Sequence, residues 1–268
     1  MAPAVALRSA TAWYDSPLYY DMVYEDYTKR ETRFLHAAVK KYGTGFGKSW
    51  KVLEPACGSG RLLESLAARG HVVHGFDLNR NQVAYAKKRL NSFGSSAKVW
   101  RDALQNFRAP AVGVYDVVHC FVSTFKYILK ERDAVAALRG MSKALRKGGL
   151  CFIGLHLTDY ENNPADYEKW VNRRQGVKVC SETWSAPARR KERKEAMRTC
   201  MTITEKGKTR MEETLWEFRT YSAMELKALL AKVPSLGLVA CYDFHYDIKN
   251  KRRLNDAYSD IILVLKKQ

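Results

Sequence analysis

A chain of 268 residues with 46% hydrophobic and 12% aromatic residues can bury a sizeable core, which excludes disorder of the whole chain. The 46 Lys and Arg against 28 Asp and Glu give a formal charge of +18, which favours anionic partners such as nucleic acid, acidic lipid or phosphorylated metabolites. Six scattered cysteines without a C-x-x-C pair exclude a zinc ribbon and a disulfide framework, and no run approaches the ~20 apolar residues of a membrane span. The expectation is a cytoplasmic protein with reduced thiols, no bound metal and no membrane partner.

The first 45 residues read as an aromatic arm followed by a helix. The arm, WYDSPLYYDMVYEDY at residues 13–27, is dense in tyrosine and suits either a packed arm or a lid. Thr28 with Glu31 three residues on predicts a capping box, and Phe34, Leu35, Ala38 and Val39 recur at helical spacing. From residue 51, short apolar runs alternate with helical segments. Strands are expected at 51–55, 72–76, 98–101, 116–121 and 150–155, with helices at 60–69, 81–93 and 131–145. The last of these helices is expected to stop at Lys147-Gly148-Gly149, where glycine takes the left-handed conformation.

After His156 the alternation breaks. Residues 157–221 are charged and carry strand-like stretches at 177–184, 197–204 and 211–218, which predicts an inserted antiparallel meander without a core of its own. Ser222 with Glu225 opens another capped helix, and strands at 238–244 and 261–265 finish the chain. The expected fold is α/β: a Rossmann-like, seven-stranded, mostly parallel sheet with a terminal antiparallel strand, plus a β insertion after the fifth strand. Residues 1–268 are expected to form a single domain, with 1–45 as arm and helix and 157–221 as the insertion.

The motif that carries chemistry is VLEPACGSGR, Val52 to Arg61. A buried strand runs into Gly58-Ser59-Gly60 and then into a helix. Glycines let the backbone turn sharply and let a ligand come close, and the helix start offers free N–H groups. Asp77 ends the next strand, where an acid can accept both ribose hydroxyls of an adenosine. Leu63 stands where a dinucleotide fingerprint needs its third glycine, and no G-x-x-x-x-G-K-[ST] loop is present. Glu54 precedes the turn instead, and a carboxylate there suits the cationic amino group of a methionine moiety and repels a pyrophosphate. These residues point to S-adenosylmethionine.

LEPACGSG, the FDLN acid, RDA at 101–103, YDVVHCFVS at 115–123 and LRKGGL at 145–150 together resemble the successive motifs of class I S-adenosylmethionine-dependent methyltransferases. The resemblance covers residues 20–156 and, more loosely, 215–268. It implies that Glu54, Ala56, Gly58 and Gly60 line the methionine and ribose side, with Ala56 where many members have glycine. It implies that Asp77 binds the ribose hydroxyls with Leu78 against the adenine, and that Asp102 bonds the adenine amino group beside Ala103. Phe121 and Ser123 would flank the sulfur. Within the superfamily the chain is nearest in pattern to small-molecule N-methyltransferases of the sugar-amine and glycine types. Its arm resembles their lid, which implies Tyr20, Tyr24 or Tyr27 near the cofactor, and Ser123 to Tyr127 points the same way.

Methyl transfer is an in-line displacement that needs alignment and exclusion of water. Ligands of open α/β sheets sit beyond the carboxyl ends of the strands, which selects residues 121–127 and 155–160. His156 is the leading base or substrate partner, with Tyr127 as a second catalytic candidate. Asp159 and Tyr160 read as positioning or loop residues, His119 and Cys120 as core, and Lys126 as a solvated lysine or an anion binder. One of Trp170, Trp184, Trp216 and Phe218 could roof the pocket. Three readings stay open: methylation of a small-molecule acceptor, an amine among them; methylation of RNA or protein through RRKERK at 189–194 and the basic run 249–253; and cofactor binding without catalysis.

Overall fold

The computed structural model of the chain describes residues 6–8 and 13–268. Its first half runs β1 (Ala6–Arg8), α1 (Pro17–Tyr24), α2 (Thr28–Tyr42), β2 (Lys51–Pro55), α3 (Arg61–Ala67), β3 (Val72–Asp77), α4 (Arg80–Leu90) and β4 (Ala97–Arg101). Then come β5 (Tyr115–Cys120), α5 (Glu131–Ala144) and β6 (Leu145–His156). Four strands follow without a helix: β7 (Asp166–Arg174), β8 (Val177–Ser185), β9 (Lys194–Glu205) and β10 (Lys208–Arg219). The chain closes with α6 (Ala223–Ala231), β11 (Leu236–Tyr242) and β12 (Asp260–Lys267).

The larger sheet has seven strands in the order β11-β12-β6-β5-β2-β3-β4. The pairs of β2 with β3 and β5, of β3 with β4, and of β5 with β6 are parallel, whereas β12 is antiparallel to both its neighbours. Its central strands are buried on both faces: Val52, Leu53, Val118, Cys151 and Phe152 are sealed from solvent, as near-continuous apolar runs require. One face packs on α5 and α6, the other on α2, α3 and α4. Each fully buried aliphatic or aromatic side chain contributes on the order of 1.5–3 kcal/mol, so these two layers hold the fold. Strand order reverses between β2 and β5, and a crevice opens at their carboxyl ends. The seven-stranded, mostly parallel sheet, its antiparallel strand and the β insertion match the expected fold class.

The second sheet is ordered β1-β10-β9-β8-β7, antiparallel except for the β1–β10 pair. It has one strand more from the insertion than the sequence predicts, because β7 is an exposed edge strand whose charged residues show no alternation. The insertion's inner residues Val177, Val179, Met201 and Ile203 pack against Trp13, Met22 and Val23 of the arm. The insertion therefore does have a core, built jointly with a segment about 160 residues earlier in the chain.

Two local expectations are corrected. Thr28 and Glu31 form no capping box: a 3-10 turn over Glu25–Tyr27 runs straight into α2, so Thr28 is already helical at φ −52°. Glu31 turns inward and pairs with Arg61. Helix α5 ends at Ala144 with extended Leu145, and Gly148, at φ +76°, lies inside the start of β6 rather than capping the helix. The capping box at Ser222 and Glu225 forms as predicted, with Glu225 N donating to Ser222 Oγ at 3.2 Å and Ser222 N to Glu225 Oε2 at 2.9 Å.

Candidate active site

β2 ends at Pro55 and the chain turns through Ala56 (φ +53°), Gly58 (φ +52°) and Gly60 (φ +76°) into α3. A Cβ on Gly58 would make ordinary contact with the Tyr20 ring at 3.5 Å, so the left-handed backbone rather than space calls for glycine here. The turn is tied to the next strand. Gly58 N donates to Asp77 Oδ2 at 2.9 Å, Asn79 N donates to Asp77 Oδ1 at 2.8 Å, and Cys57 N donates to Phe76 O at 2.8 Å. Asp102 N reaches Asp77 O at 3.1 Å, and the Asp102 carboxylate accepts from Ala103 N at 2.8 Å. Leu78, an apolar side chain left 58% exposed, flanks Asp77. Glu54, Ala56, Gly58, Gly60, Asp77, Leu78, Asp102 and Ala103 are thus gathered at the carboxyl ends of β2, β3 and β4. Burial raises the Asp77 carboxyl above its ordinary range. Glu54 is buried more deeply, and burial pushes its carboxyl well up against the opposing pull of Arg61.

The arm lies over this turn and is held from both sides. Asp21, sealed from solvent, accepts from Arg89 Nη2 and Ser59 Oγ at 2.6 Å each. Burial alone would raise Asp21, but the Arg89 hydrogen bond and charge bring it below its ordinary value. Gln82 donates to Tyr14 O at 2.9 Å and Asn79 Nδ2 to Asp15 Oδ1 at 2.6 Å, so the first turn of α4 grips the arm. On the insertion side Trp13 stacks on Trp216 at 5.5 Å, and Trp13 N donates to Thr214 Oγ1 at 2.9 Å. The Tyr14 hydroxyl shares a hydrogen bond with that of Tyr127.

Beyond the arm is a cavity of about 620 Å³, walled by the arm, the second sheet and the ends of β5 and β6. Tyr20, Tyr24, Tyr27, Ser123, Tyr127 and His156 line it. Glu54, Ala56, Gly58, Gly60, Asp77 and Phe121 do not, and neither do Leu78, Asp102 and Ala103. The glycine-turn residues and the cavity are therefore two adjoining parts of one end of the sheet, bridged by Tyr20. Val122 and Ser123 both sit at φ +56°, a conformation costing roughly 1–3 kcal/mol each outside glycine, of the kind that clusters at functional sites. Ser123 N donates to Gly154 O at 3.0 Å, and its Oγ accepts from His156 N at 3.2 Å, which fixes this turn against β6.

His156, the last residue of β6, has Nδ1 2.7 Å from Asp260 Oδ1 at the start of β12. Asp260 also lines the cavity; burial raises its carboxyl, and His156 more than reverses that shift. Lys126 is not solvated: it is 2% exposed and ion-paired with Glu195 at 2.6 Å inside the cavity wall. Asp159 lines the cavity and accepts from the backbone of Glu161 at 3.0 Å, whereas Tyr160 is turned onto Thr220 and Glu225. Trp170, Trp216 and Phe218 all face the cavity, whereas Trp184 does not line it and packs on Tyr167, which does. His119 and Cys120 are buried, as expected of a central strand. The basic segment is largely tied down: Arg189 and Lys194 pair with Glu217, Arg190 with Glu161, and Arg193 with Glu131 and Glu225.

Sequence reasoning missed Trp13, Tyr14, Glu195 and Asp260. The first two belong to the aromatic run it did single out. Glu195 and Asp260 carry no local signal, since their partners are 69 and 104 residues away.

Residues 52–149 match the family described as methyltransferase domain. The structure superposes on a S-adenosylmethionine-dependent methyltransferase of Clostridium acetobutylicum with a TM-score of 0.74 at 15% identity, covering 96% of this chain and 99% of that one. The chain has the class I methyltransferase fold. It is also similar to CalS10, an amino pentose methyltransferase of Micromonospora echinaspora, with a TM-score of 0.67 at 15% identity, covering 98% and 100% of the two chains. In sequence it is 28% identical over 119 residues to the ubiquinone biosynthesis O-methyltransferase of Vibrio parahaemolyticus, 44% of this chain and 48% of that one. The chain spans about half the length of the curated relatives it matches. No helix among the described residues is long and apolar enough to cross a membrane.

Proposed function

We propose that the chain is a S-adenosylmethionine-dependent methyltransferase whose acceptor is a small molecule bearing an amine. The observation that carries this reading is the union, at one end of one sheet, of the Gly58–Asp77–Asp102 hydrogen-bonded turn with a cavity beneath the arm. The residues fit the cofactor: Asp77 would hold the ribose hydroxyls, Asp102 the adenine amino group with Leu78 against the ring, and Glu54 the methionine ammonium. S-adenosylmethionine supplies an electrophilic methyl group on a sulfonium centre.

The chain's own residues do the rest. The arm covers the turn and limits water access, as a displacement at a charged centre demands. Asp260, accepting from His156 Nδ1–H, sets the tautomer that leaves Nε2 as the acceptor for the proton an ammonium must lose before it attacks. Tyr127 and Ser123 frame the space between His156 and Tyr20. The cavity is lined by six carboxylates (Glu31, Asp159, Asp166, Glu168, Glu195 and Asp260) but only two Lys or Arg, Arg30 and Lys126. In a chain of charge +18, that lining favours a cationic or neutral amine over a polyanion. The pairing of Arg189, Arg190, Arg193 and Lys194 with acids weighs against that segment as a free basic patch for an RNA acceptor. The matched structures include an amino pentose methyltransferase, and the sequence relatives include O-methyltransferases.

The test is transfer of labelled methyl groups to cell extract divided into metabolite, RNA and protein fractions. Label in basic metabolites is the expected result. Label in RNA or protein would overturn the small-molecule reading, and cofactor binding without any transfer would make the chain a binding protein.

A further inference from the structure

An unpaired part of the +18 charge gathers at the end of the seven-stranded sheet remote from the cavity. The parallel strands β2 to β6 start at this end, and antiparallel β12 finishes here. Lys51 opens β2, Arg69 lies in the turn into β3, Lys98 is second in β4, Lys147 third in β6, and Lys266 and Lys267 close β12. Lys40 and Lys143 stand in the last turns of α2 and α5. Among the described residues none of these side chains forms an ion pair. Their partners are neutral: Lys266 Nζ donates to Thr44 Oγ1 at 2.6 Å, Lys267 Nζ to Ser142 Oγ at 3.1 Å, and Arg69 to Ser65 O at 2.6 Å. The connections at this end, 43–50, 68–71, 91–96 and 108–114, contain no Asp or Glu. Asp116 in β5 is already taken by Arg146 at 2.6 Å.

Local electrostatics accounts for two of these cations. A lysine in the last turn of a helix complements the helix dipole, which covers Lys40 and Lys143 but none at a strand end. Neighbouring strands lie ~4.8 Å apart, so the row from β12 to β4 is about 24 Å long. That length suits a chain of phosphates rather than one anion. At its β4 end the row meets a recess of about 340 Å³ between α4 and β4. Lys87, Lys98 and Asn91 line it, and Leu90, Ala97 and Val99 give it an apolar surface. An apolar surface takes the face of a flat base, an amide meets the base edge, and the two ammonium groups hold the flanking phosphates. The connections at this end expose Val112 and Val114 but no Trp, Phe or Leu, the side chains that seat a protein in a bilayer surface.

We propose that this end of the sheet binds a single-stranded polynucleotide, with phosphates along the row from Lys267 to Lys98 and one base in the recess between α4 and β4. The polynucleotide is a ligand and not the methyl acceptor, because the cavity lies at the opposite end of the sheet and six carboxylates line it. Binding needs neither cofactor nor acceptor, so this inference is independent of the S-adenosylmethionine reading.

The test is titration of the full chain into a fluorescein-labelled oligouridylate of about 12 nucleotides, followed by anisotropy between about 50 and 200 mM salt. Affinity should fall with salt at a log–log slope of roughly −3, as counterion release from four or five phosphates of a single strand requires. Lys98→Ala and Lys147→Ala should each make the slope shallower by about 0.7 and weaken binding about three- to tenfold. Both lysines are exposed and far from the cavity, so these variants should transfer methyl groups as the parent does. Lys191→Ala, an exposed lysine of the 189–194 segment, should leave slope and affinity unchanged. An abasic strand of the same length, which keeps the phosphates, should bind about fivefold more weakly or worse. Absence of binding at about 50 mM salt, or an equal loss in Lys191→Ala, overturns the proposal. Equal affinity for the abasic strand overturns it too, since the recess then holds no base. Binding to phosphatidylserine vesicles without binding to oligouridylate would make this end a membrane-docking surface and likewise overturn it.

Discussion

The seven-stranded sheet and the five-stranded sheet solve different problems with the same backbone. In the first, β2, β5 and β6 are buried on both faces, and the few polar side chains they carry inward, such as Glu54 and His119, are surrounded by apolar neighbours. In the second, β7–β10 are half-exposed, and only alternate residues such as Val177, Val179, Met201 and Ile203 face inward. Its outer face is laced with cross-strand ion pairs such as Arg198–Glu213. The first region positions a turn and its acids through backbone hydrogen bonds; the second roofs a cavity with aromatic side chains and has no core until the arm completes it. Precision belongs to the doubly covered sheet, and enclosure to the insertion.

The contrast can be broken most sharply at the chemistry. His156→Ala should lower methyl transfer to an amine about 10²- to 10⁴-fold while leaving cofactor affinity unchanged, because the proton acceptor lies in the cavity and not at the turn. A parallel loss of cofactor affinity, measured by calorimetry, would show that turn and cavity are not separate. Asp77→Ala should do the reverse, weakening S-adenosylhomocysteine and methylthioadenosine alike by about 1–3 kcal/mol, the cost of unpaired ligand hydroxyls. Unchanged affinity would remove Asp77 from the site.

The histidine share of acid destabilisation should fall on the first region. All six histidines lie outside residues 157–221. Burial holds His119 at about 3 and His71 at about 4, below the ordinary 6.5. Between those values and 6.5 each of these two rings takes up its proton in the unfolded chain and not in the folded one, so its contribution to stability is full above pH 6.5 and is lost as pH falls toward 4. The slope is about 1.4 kcal/mol per pH unit for each histidine. Thermal unfolding followed from pH 7 to pH 4 should show the falling midpoint, and His119→Leu should flatten it; an unaltered slope in that variant would refute the assignment.

Smaller effects are expected where the two regions merely touch. Tyr127→Phe removes the hydroxyl that meets Tyr14 and should raise the acceptor KM by about three- to tenfold with little change in stability. Arg198→Ala, breaking an exposed ion pair on the insertion's outer face, should move the unfolding midpoint by less than about 2 °C. A larger shift would mean that the outer ion pairs do more than surface pairs usually do.

Much of the first region was legible because its signals are local. Apolar runs of five or six residues, glycine turns and terminal acids fall in the order that parallel strands and helices require, and the strand and helix bounds agree to within a few residues. Two misreadings share one cause, which is that distant partners outbid local propensity, and a third concerns an edge strand. Glu31 suits a cap but meets Arg61, Lys126 suits solvent but meets Glu195, and β7 pairs at an edge where side-chain alternation is not needed.

The sequence alone determined the order of strands and helices, the glycine turn with Glu54, Asp77 and Asp102 following in series, and the presence of an aromatic arm, since each depends on spacing within about fifty residues. Only the tertiary structure decided that the arm and the insertion make one core, that Asp260 faces His156, and that Glu54 and His119 lie bare side by side. Those contacts join residues 65 to 190 positions apart, and no period in a sequence records which far-off side chain will arrive to pair a buried charge.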